Sequence, residues 1–487
     1  MDENIKKAII YLLVIAIVAV PLFLQLGLLP IRTYDEARLA MNAIEMHESN
    51  NWLVTTFDYK PDLWNTKPPL MIWLQTICIK LFGIGEWSIR LPAALAAFAT
   101  CLLLMFFSRR LLHQPEIGAI AAIVLVSSIG YVTTHGTRTG DYDALLVLFT
   151  TFASLSYFAW TENGERRNLL LFFVALTLAA LTKGVAGLLF LPGLGVYSIY
   201  RKKLFPLFKN PMLYVGVMGF IAIVAAYYLL RENASPGYLQ AVSDNELGGR
   251  FLQVIEEHKE SFWFYLLALL APKFVFGMPL IFLSLIFVKK VSNEVNRRLI
   301  IYLAMVSVFF WLVISSAQTK LGWYDLPLYP LMSLQVAVFI YDVVYLQFGT
   351  AIMNKGQRAK VIFIGVAFLL AVIPYITVLD RITGSTKRKN ERIYYKTAYY
   401  IREQIAGRTL PDSTVYVTWL YAPHMDFYII QANVLGIGVE HIPPDKLSYY
   451  VPTRLITEDE GIANQIKQQY KVEVVKDEQG LKVYDIR

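Results

Sequence analysis

Four short segments of this chain hold acids and bases of the types that carry acid–base chemistry and bind anions. Tyr34-Asp35-Glu36-Ala37-Arg38 sets two carboxylates and a guanidinium within about one helical turn. Asp35 there can orient or deprotonate a hydroxyl. Equally, acids at a helix start complement the helix dipole. Thr66-Lys67-Pro68-Pro69 follows Trp64. The prolines fix an extended entry to the next element, and Lys67 either snorkels to an interface or holds a phosphate as a point charge. Between His135 and Asp143, the residues Arg138, Asp141 and Asp143 open an apolar run. They form either an ion-paired helix cap or a functional site, since an ionisable group at the edge of a membrane span is costly. Lys183, in Leu181-Thr182-Lys183-Gly184, lies between two apolar runs and requires an anionic partner. The fourth segment pairs Glu257-His258 with Lys320-Leu321-Gly322-Trp323-Tyr324. His258 is a surface histidine or a metal ligand. Lys320 and Tyr324 are interfacial anchors, or they join Arg38, Lys67 and Lys183 in a cationic pocket for phosphate.

These residues must be positioned by membrane helices. The chain has 487 residues, 56% of them hydrophobic, with mean hydropathy +0.47. Only 17% are charged, against about 25% in soluble domains. The stretch Ala8 to Leu29 carries no charge. It is long enough to cross a bilayer and lacks a clear cleavage site, so it reads as a retained span. Eleven spans are expected, near 8–29, 88–108, 116–134, 142–160, 168–183, 185–200, 212–230, 262–288, 299–316, 324–346 and 360–379. The fifth and sixth are short enough to be a re-entrant pair. With the N-terminus inside, the inner loops carry Lys6-Lys7, Arg109-Arg110, Arg166-Arg167, Arg201-Lys202-Lys203, Lys289-Lys290 with Arg297-Arg298, and Lys355 with Arg358 and Lys360. Every inner loop is basic, as the positive-inside rule requires. The net charge of +8 is therefore read as a topology signal and not as nucleic-acid binding.

All four segments then fall on the outer face. A transporter would more often carry its charges at the bilayer midplane. A membrane scaffold would leave the loop acids and bases dispensable. The first outer loop, 30–87, holds Thr33 and Glu36 at capping-box spacing. Apolar residues at helical spacing through 35–48 suggest a helix lying at the interface. From 385 onward the composition turns polar. Short strands near 415–417, 454–456, 471–475 and 481–483, with helices near 391–406 and 459–470, predict a small α/β domain outside the membrane. The expected organisation is thus a transmembrane domain over 1–384 and a soluble domain over 385–487. Cys78 and Cys101 both lie in apolar surroundings and support neither a disulfide framework nor a cysteine metal site.

Asp35-Glu36-Ala37-Arg38, Lys67-Pro68-Pro69, Arg138-Thr139-Gly140-Asp141-Tyr142-Asp143-Ala144-Leu145, Leu181-Thr182-Lys183-Gly184 and Trp323-Tyr324-Asp325-Leu326-Pro327 occur in this order. The set resembles the GT-C membrane glycosyltransferases, and among them the bacterial aminoarabinose lipid A transferase branch, related to protein O-mannosyltransferases. The resemblance covers roughly residues 5–380. It implies an α-helical polytopic fold and a sugar carried on undecaprenyl or dolichyl phosphate. The sugar would pass to a lipid, glycan or protein acceptor on the periplasmic side of a bacterial inner membrane. Carried over, Asp35 matches the family's essential acid. Arg38, Lys67 and Tyr324 match its lipid-phosphate contacts. Asp143 and Lys183 match further functional positions, Asp143 as a second catalytic acid. Glu36, Arg138, Asp141 and Lys320 are additional candidates. His258 matches a metal ligand, but Thr66 stands where the aminoarabinose branch has its metal-binding Glu, and Leu39 replaces a common Tyr. A divalent metal is thus implied by one matching ligand only.

Overall fold

The computed structural model describes residues 3–249 and 259–487. Seven of its helices are long and apolar enough to cross a membrane: Glu86–Leu112, Asp143–Asn163, Arg166–Leu188, Pro211–Ala234, Glu294–Ser316, Leu328–Met353 and Gln357–Thr383. An eighth candidate is the pair Phe264–Lys273 and Met278–Ile286, bent by 110° where one continuous span was expected. Ala8–Phe23, Leu70–Phe82 and Pro115–Val126 are shorter apolar helices. Of these, Leu70–Phe82 was read as part of an outer loop, and the sequence gives it only thirteen residues. The expected span at 185–200 is broken, with its last helix reduced to Leu191–Tyr200.

The elements nearest the site are α1 (Glu3–Phe23), α2 (Asp35–Ser49), α3 (Leu70–Phe82), α4 (Glu86–Phe107), α5 (Pro115–Val126), α6 (Asp143–Asn163) and α7 (Arg166–Lys183). The apolar side chains of α1, α4, α5, α6 and α7 join one large core with those of Glu294–Ser316 and Leu328–Phe339. Helix α7 stops because Gly184 takes φ +53° and returns its N–H to the Ala180 carbonyl, a left-handed cap that glycine adopts without Cβ strain. That stop leaves Lys183 as the last helical residue. Asn293 caps Glu294–Ser316 by accepting from the N–H groups of Val295 and Asn296.

The short helix expected after the first span is present as α2, but its setting differs. No side-chain cap forms at its start. Glu36 accepts from Arg32 N–H at 2.8 Å and otherwise turns inward. Nor does α2 lie free at an interface. Its residues Ala37 to Met46 share a core with α3, α4 and the soluble domain, including Tyr428 and Phe427. Protein therefore covers the apolar side that lipid was expected to cover.

Between α2 and α3 a two-strand hairpin forms from β1 (Thr56–Phe57) and β2 (Lys60–Pro61). The C-terminal domain is a five-stranded sheet of β3 (Thr414–Val417), β4 (Val439–Ile442), β5 (Arg454–Thr457), β6 (Val472–Glu478) and β7 (Leu481–Ile486), in the order β4-β3-β5-β7-β6. β3 pairs parallel with β4 and β5, and β7 pairs antiparallel with β5 and β6. Strand β4 and the helix Pro423–Val434 were not anticipated. The domain is anchored to the membrane part by polar contacts. Arg402 reaches Glu86 at 3.0 Å, the Tyr428 hydroxyl donates to Glu86 at 2.9 Å, and Arg32 pairs with Glu391 at 2.6 Å.

Candidate active site

The loop from Ser127 to Tyr142 and the starts of α2 and α6 converge on one cleft. It is lined by Asp35, Arg38, Leu39, Trp64, Asn65, Lys67, Asp141, Tyr142, Asp143, Lys183, Trp323 and Tyr324. Segments more than 280 residues apart in sequence therefore meet in it.

At its floor, Lys183 donates to both carboxylate oxygens of Asp143, each at 2.7 Å. Both side chains are buried. Two of the three ammonium donors are thus used, leaving one for a substrate. The same ammonium lies 5.5 Å from the centre of the Tyr324 ring.

His135 stacks on Trp323, ring centres 3.8 Å apart. Its Nδ1 lies 3.2 Å from Asp141 and 3.9 Å from Asp35. Burial disfavours a charged ring, but the Asp141 carboxylate, with Asp35 and Asp143 further off, outweighs it and raises the His135 pKa to about 9. For Asp141, burial works against ionisation, and His135 with the Thr139 hydroxyl overcomes it and lowers the pKa. Backbone bonding shapes this loop. Thr139 Oγ1 accepts from His135 N–H at 2.8 Å and donates to Asp141 at 2.5 Å. Gly140 has no room for a side chain, since a Cβ there would come within 2.5 Å of Ile89 and 2.7 Å of Gln75.

One ligand atom each from Asp35, His135 and Asp141 lie within 4.8 Å of one another. His135 Nδ1 is buried and makes no well-formed hydrogen bond. Two carboxylates and an imidazole form a donor set that suits a divalent transition metal such as Mn²⁺ or Zn²⁺, whose binding would displace the proton that His135 otherwise holds. The metal expectation had centred on His258, which lies outside the described residues, as does Glu257.

On the opposite wall, Arg38 is gripped by Asp62 through Nε at 2.9 Å and Nη2 at 2.7 Å. Its Nη1 donates to the Tyr421 hydroxyl at 3.3 Å. Two N–H donors remain free for a phosphate. Asp62 also accepts from Asn42 and from the N–H groups of Trp64 and Asn65. Burial pushes its pKa up, but the Arg38 guanidinium and these bonds bring it below the usual carboxylate range. Lys67 pairs with Glu246 at 3.2 Å, and Thr66 Oγ1 donates to the same carboxylate at 3.3 Å.

Three candidates are placed elsewhere. Glu36 is fully buried and grips Arg90 at 2.7 and 2.9 Å while accepting from Gly140 N–H at 2.8 Å. It ties α2 to the Asp141 loop and does not line the cleft. Arg138 donates to the carbonyls of Pro21, Leu22 and Leu24, closing the end of α1. Lys320 donates to the Ala317 carbonyl at 2.6 Å and does not line the cleft. Among the residues that the sequence reading had passed over are Asp62, Glu246 and Tyr421. Asp62, close before Lys67-Pro68-Pro69, had a legible signal: an acid within a loop already rich in charge.

The chain is similar to known proteins in sequence and in fold. Residues 66–229 match the family described as dolichyl-phosphate-mannose-protein mannosyltransferase. The undecaprenyl phosphate-alpha-4-amino-4-deoxy-L-arabinose arabinosyl transferase of Shewanella sediminis is 28% identical over 64% of this chain, which spans 57% of that relative's length. An uncharacterized protein of Aquifex aeolicus is 25% identical over 74% of this chain and 68% of its own length. In fold, the chain is similar to ArnT from Cupriavidus metallidurans bound to undecaprenyl phosphate, with TM-score 0.74, 16% identity and 97% of each chain covered. The chain is a membrane glycosyltransferase with a GT-C-type fold. The archaeal oligosaccharyltransferase AglB from Archaeoglobus fulgidus shares the fold more distantly, with TM-score 0.53 and 14% identity over 99% of this chain and 74% of that one. The likeness to ArnT runs through nearly the whole of this glycosyltransferase.

Proposed function

We propose that the cleft transfers a sugar from a polyprenyl-phosphate carrier to a hydroxyl or phosphate acceptor at the outer face of the bacterial cytoplasmic membrane. The observation that carries this is the meeting of Asp35 with Arg38, Lys67 and Lys183 in one cleft. A polyprenyl phosphate, its tail held in hydrocarbon, presents its phosphate near the membrane surface. The Shewanella sediminis relative is named as an arabinosyl transferase of an undecaprenyl phosphate-linked sugar. The basic loops at the far ends of the helices support a cleft on the non-cytoplasmic side.

In an inverting transfer, an acceptor oxygen bonds to the sugar C1 as the C1–O bond to phosphate breaks. The electron pair leaves with the polyprenyl phosphate. Lys67, the free N–H of Lys183, the two free N–H groups of Arg38 and the Tyr324 hydroxyl stabilise the charge that develops there. Asp35, its side chain about half exposed, takes the proton of an acceptor hydroxyl. If the acceptor is a phosphate, Asp35 positions it instead. Asp143 holds Lys183 in place. Asp35, His135 and Asp141 would hold a divalent cation, which supplies positive charge beside the reacting groups.

Incubating the purified protein with undecaprenyl-phosphate sugars and a set of lipid, glycan and peptide acceptors, followed by mass spectrometry, tests the reading. Release of undecaprenyl phosphate with a glycosylated product is expected. Donor that is moved across vesicle membranes but never cleaved would establish a transporter instead.

A further inference from the structure

Beside the cleft, a loop of the C-terminal domain packs on the start of α2 through Tyr421, which touches Tyr34 and the cleft residue Arg38. Between β3 and the helix Pro423–Val434, the loop Thr418–Ala422 descends to the start of α2. Its Tyr421 ring stacks with Tyr34, centres 6.5 Å apart and planes at 22°. The same ring lies 5.9 Å from Phe57 of the β1–β2 hairpin. Arg38 lies over the Phe57 ring at 4.3 Å. Tyr34 directly precedes Asp35 and holds φ +68° and ψ −112°, a backbone state uncommon for a residue with a side chain. It is also 66% exposed. A strained residue that presents its ring to water, beside a catalytic acid, calls for a functional account.

We propose that Tyr34 and Tyr421 form the acceptor subsite, and that it takes a carbohydrate ring. This rests on the transfer reaction described above. A pyranose has an apolar C–H face and a rim of hydroxyls. The platform matches both: aromatic faces in the middle, with the Tyr421 hydroxyl, the Arg38 guanidinium and the Asp35 carboxylate around them. An acyl chain would use the aromatic faces and leave that polar rim without a partner. The loop also belongs to the C-terminal domain, whose Trp419 and Leu420 beside Tyr421 are exposed. A sugar seated there brings a hydroxyl toward Asp35 from the aqueous side, while the donor phosphate lies toward Lys67 and Lys183.

The test uses the full-length protein in nanodiscs with undecaprenyl phosphate present. Binding of methyl glucoside, methyl galactoside and methyl N-acetylglucosaminide is read by saturation-transfer NMR, and binding of decanol is measured in parallel. Tyr34→Trp keeps an aromatic face; Tyr34→Leu keeps bulk without one. Wild type and Tyr34→Trp should saturate the ring C–H protons of at least one glycoside, and Tyr34→Leu should weaken that binding about two- to tenfold, the range of an aromatic contact. Tyr421→Phe should weaken it less. Undecaprenyl phosphate affinity, followed by intrinsic fluorescence, should be equal in wild type and Tyr34→Leu. Glycoside binding that is absent in wild type, or unchanged in Tyr34→Leu, overturns the subsite. Decanol binding that is retained or improved in Tyr34→Leu, with no glycoside bound, identifies a lipid surface and overturns it as well. Failure of wild type to bind undecaprenyl phosphate would instead overturn the donor reading, so the two failures are distinguishable.

Discussion

Lys183 and Asp143 form a buried ion pair in which one ammonium contacts both carboxylate oxygens at 2.7 Å. The pair joins the end of α7 to the start of α6, at the floor of the cleft. Breaking such a pair leaves a charge without compensation, at a cost of about 3–5 kcal/mol. Asp143→Asn should therefore lower the unfolding midpoint markedly in detergent. The double variant Asp143→Asn with Lys183→Met should recover much of that stability and remain inactive. If the double variant transferred sugar, Lys183 would have no part in the chemistry.

Asp35 and Glu36 are neighbours with opposite surroundings, and their amide variants should separate accordingly. Asp35 is open to the cleft, and Glu36 is sealed against Arg90. Asp35→Asn should reduce turnover by about 10²–10⁴ with a hydroxyl acceptor, the usual contribution of a general base, while thermal stability stays near wild type. Glu36→Gln should instead destabilise the protein, because Arg90 keeps its charge and loses its partner. Thermal melts and initial rates on both variants check this. Equal losses of stability would contradict the division of roles.

Asp62 provides a pH signature outside the membrane spans. Its pKa is lowered in the fold by Arg38 and by N–H donors. A carboxyl with a depressed native pKa stabilises the fold above its unfolded value, about 3.9, and that stability is lost as pH falls through the lower native value. The unfolding midpoint of wild type should thus drop on acidification below about pH 4. Asp62→Asn should start lower at neutral pH and show a shallower acid limb. A parallel acid limb in the variant would show that Asp62 does not contribute.

The cleft was legible in the sequence where acids and bases sat in otherwise apolar or proline-marked segments. Asp35, Lys67, Asp143 and Lys183 all stood out for that reason, and all four line it. Arg138, Glu36 and Lys320 stood out on the same grounds, yet they satisfy backbone carbonyls or a buried guanidinium. Charge in an apolar context shows that a partner must exist, but not whether the partner is substrate or protein. Tyr421 gave no signal, because nothing local says that a loop of the soluble domain returns to α2. The interfacial helix was read correctly in extent and wrongly in environment, since amphipathic spacing does not distinguish lipid from a packed domain. The 110° break between Lys273 and Met278 was hidden in a continuous apolar run.

The proposed topology rests on the basic loops and has a direct check. Val451, in the soluble domain, is 92% exposed, and Cys78 and Cys101 are buried. Val451→Cys should react with a membrane-impermeant maleimide added to intact cells stripped of outer membrane. Labelling only after lysis would place the domain, and the cleft beneath it, in the cytoplasm.

Lys67 offers the sharpest test, because Glu246 already occupies it. The ammonium and carboxylate lie 3.2 Å apart, both largely shielded from water. A donor phosphate reaching Lys67 must share or displace that carboxylate, so binding exchanges one anion for another. Lys67→Ala removes the charge from the phosphate and leaves Glu246 facing it. A hydrogen bond to a charged group contributes about 1.5–3 kcal/mol, so catalytic efficiency toward the donor should fall about ten- to a hundredfold. Lys67→Arg should keep part of it, since the charge survives in a different geometry. Glu246→Gln should act in the opposite sense: a neutral side chain competes less for the ammonium, and donor KM should fall. Steady-state kinetics with donor varied separate these effects. A loss under about threefold for Lys67→Ala in folded protein, well short of a charged contact, would remove Lys67 from the phosphate site. A donor KM that rises in Glu246→Gln would make Glu246 a support for Lys67 and not its competitor.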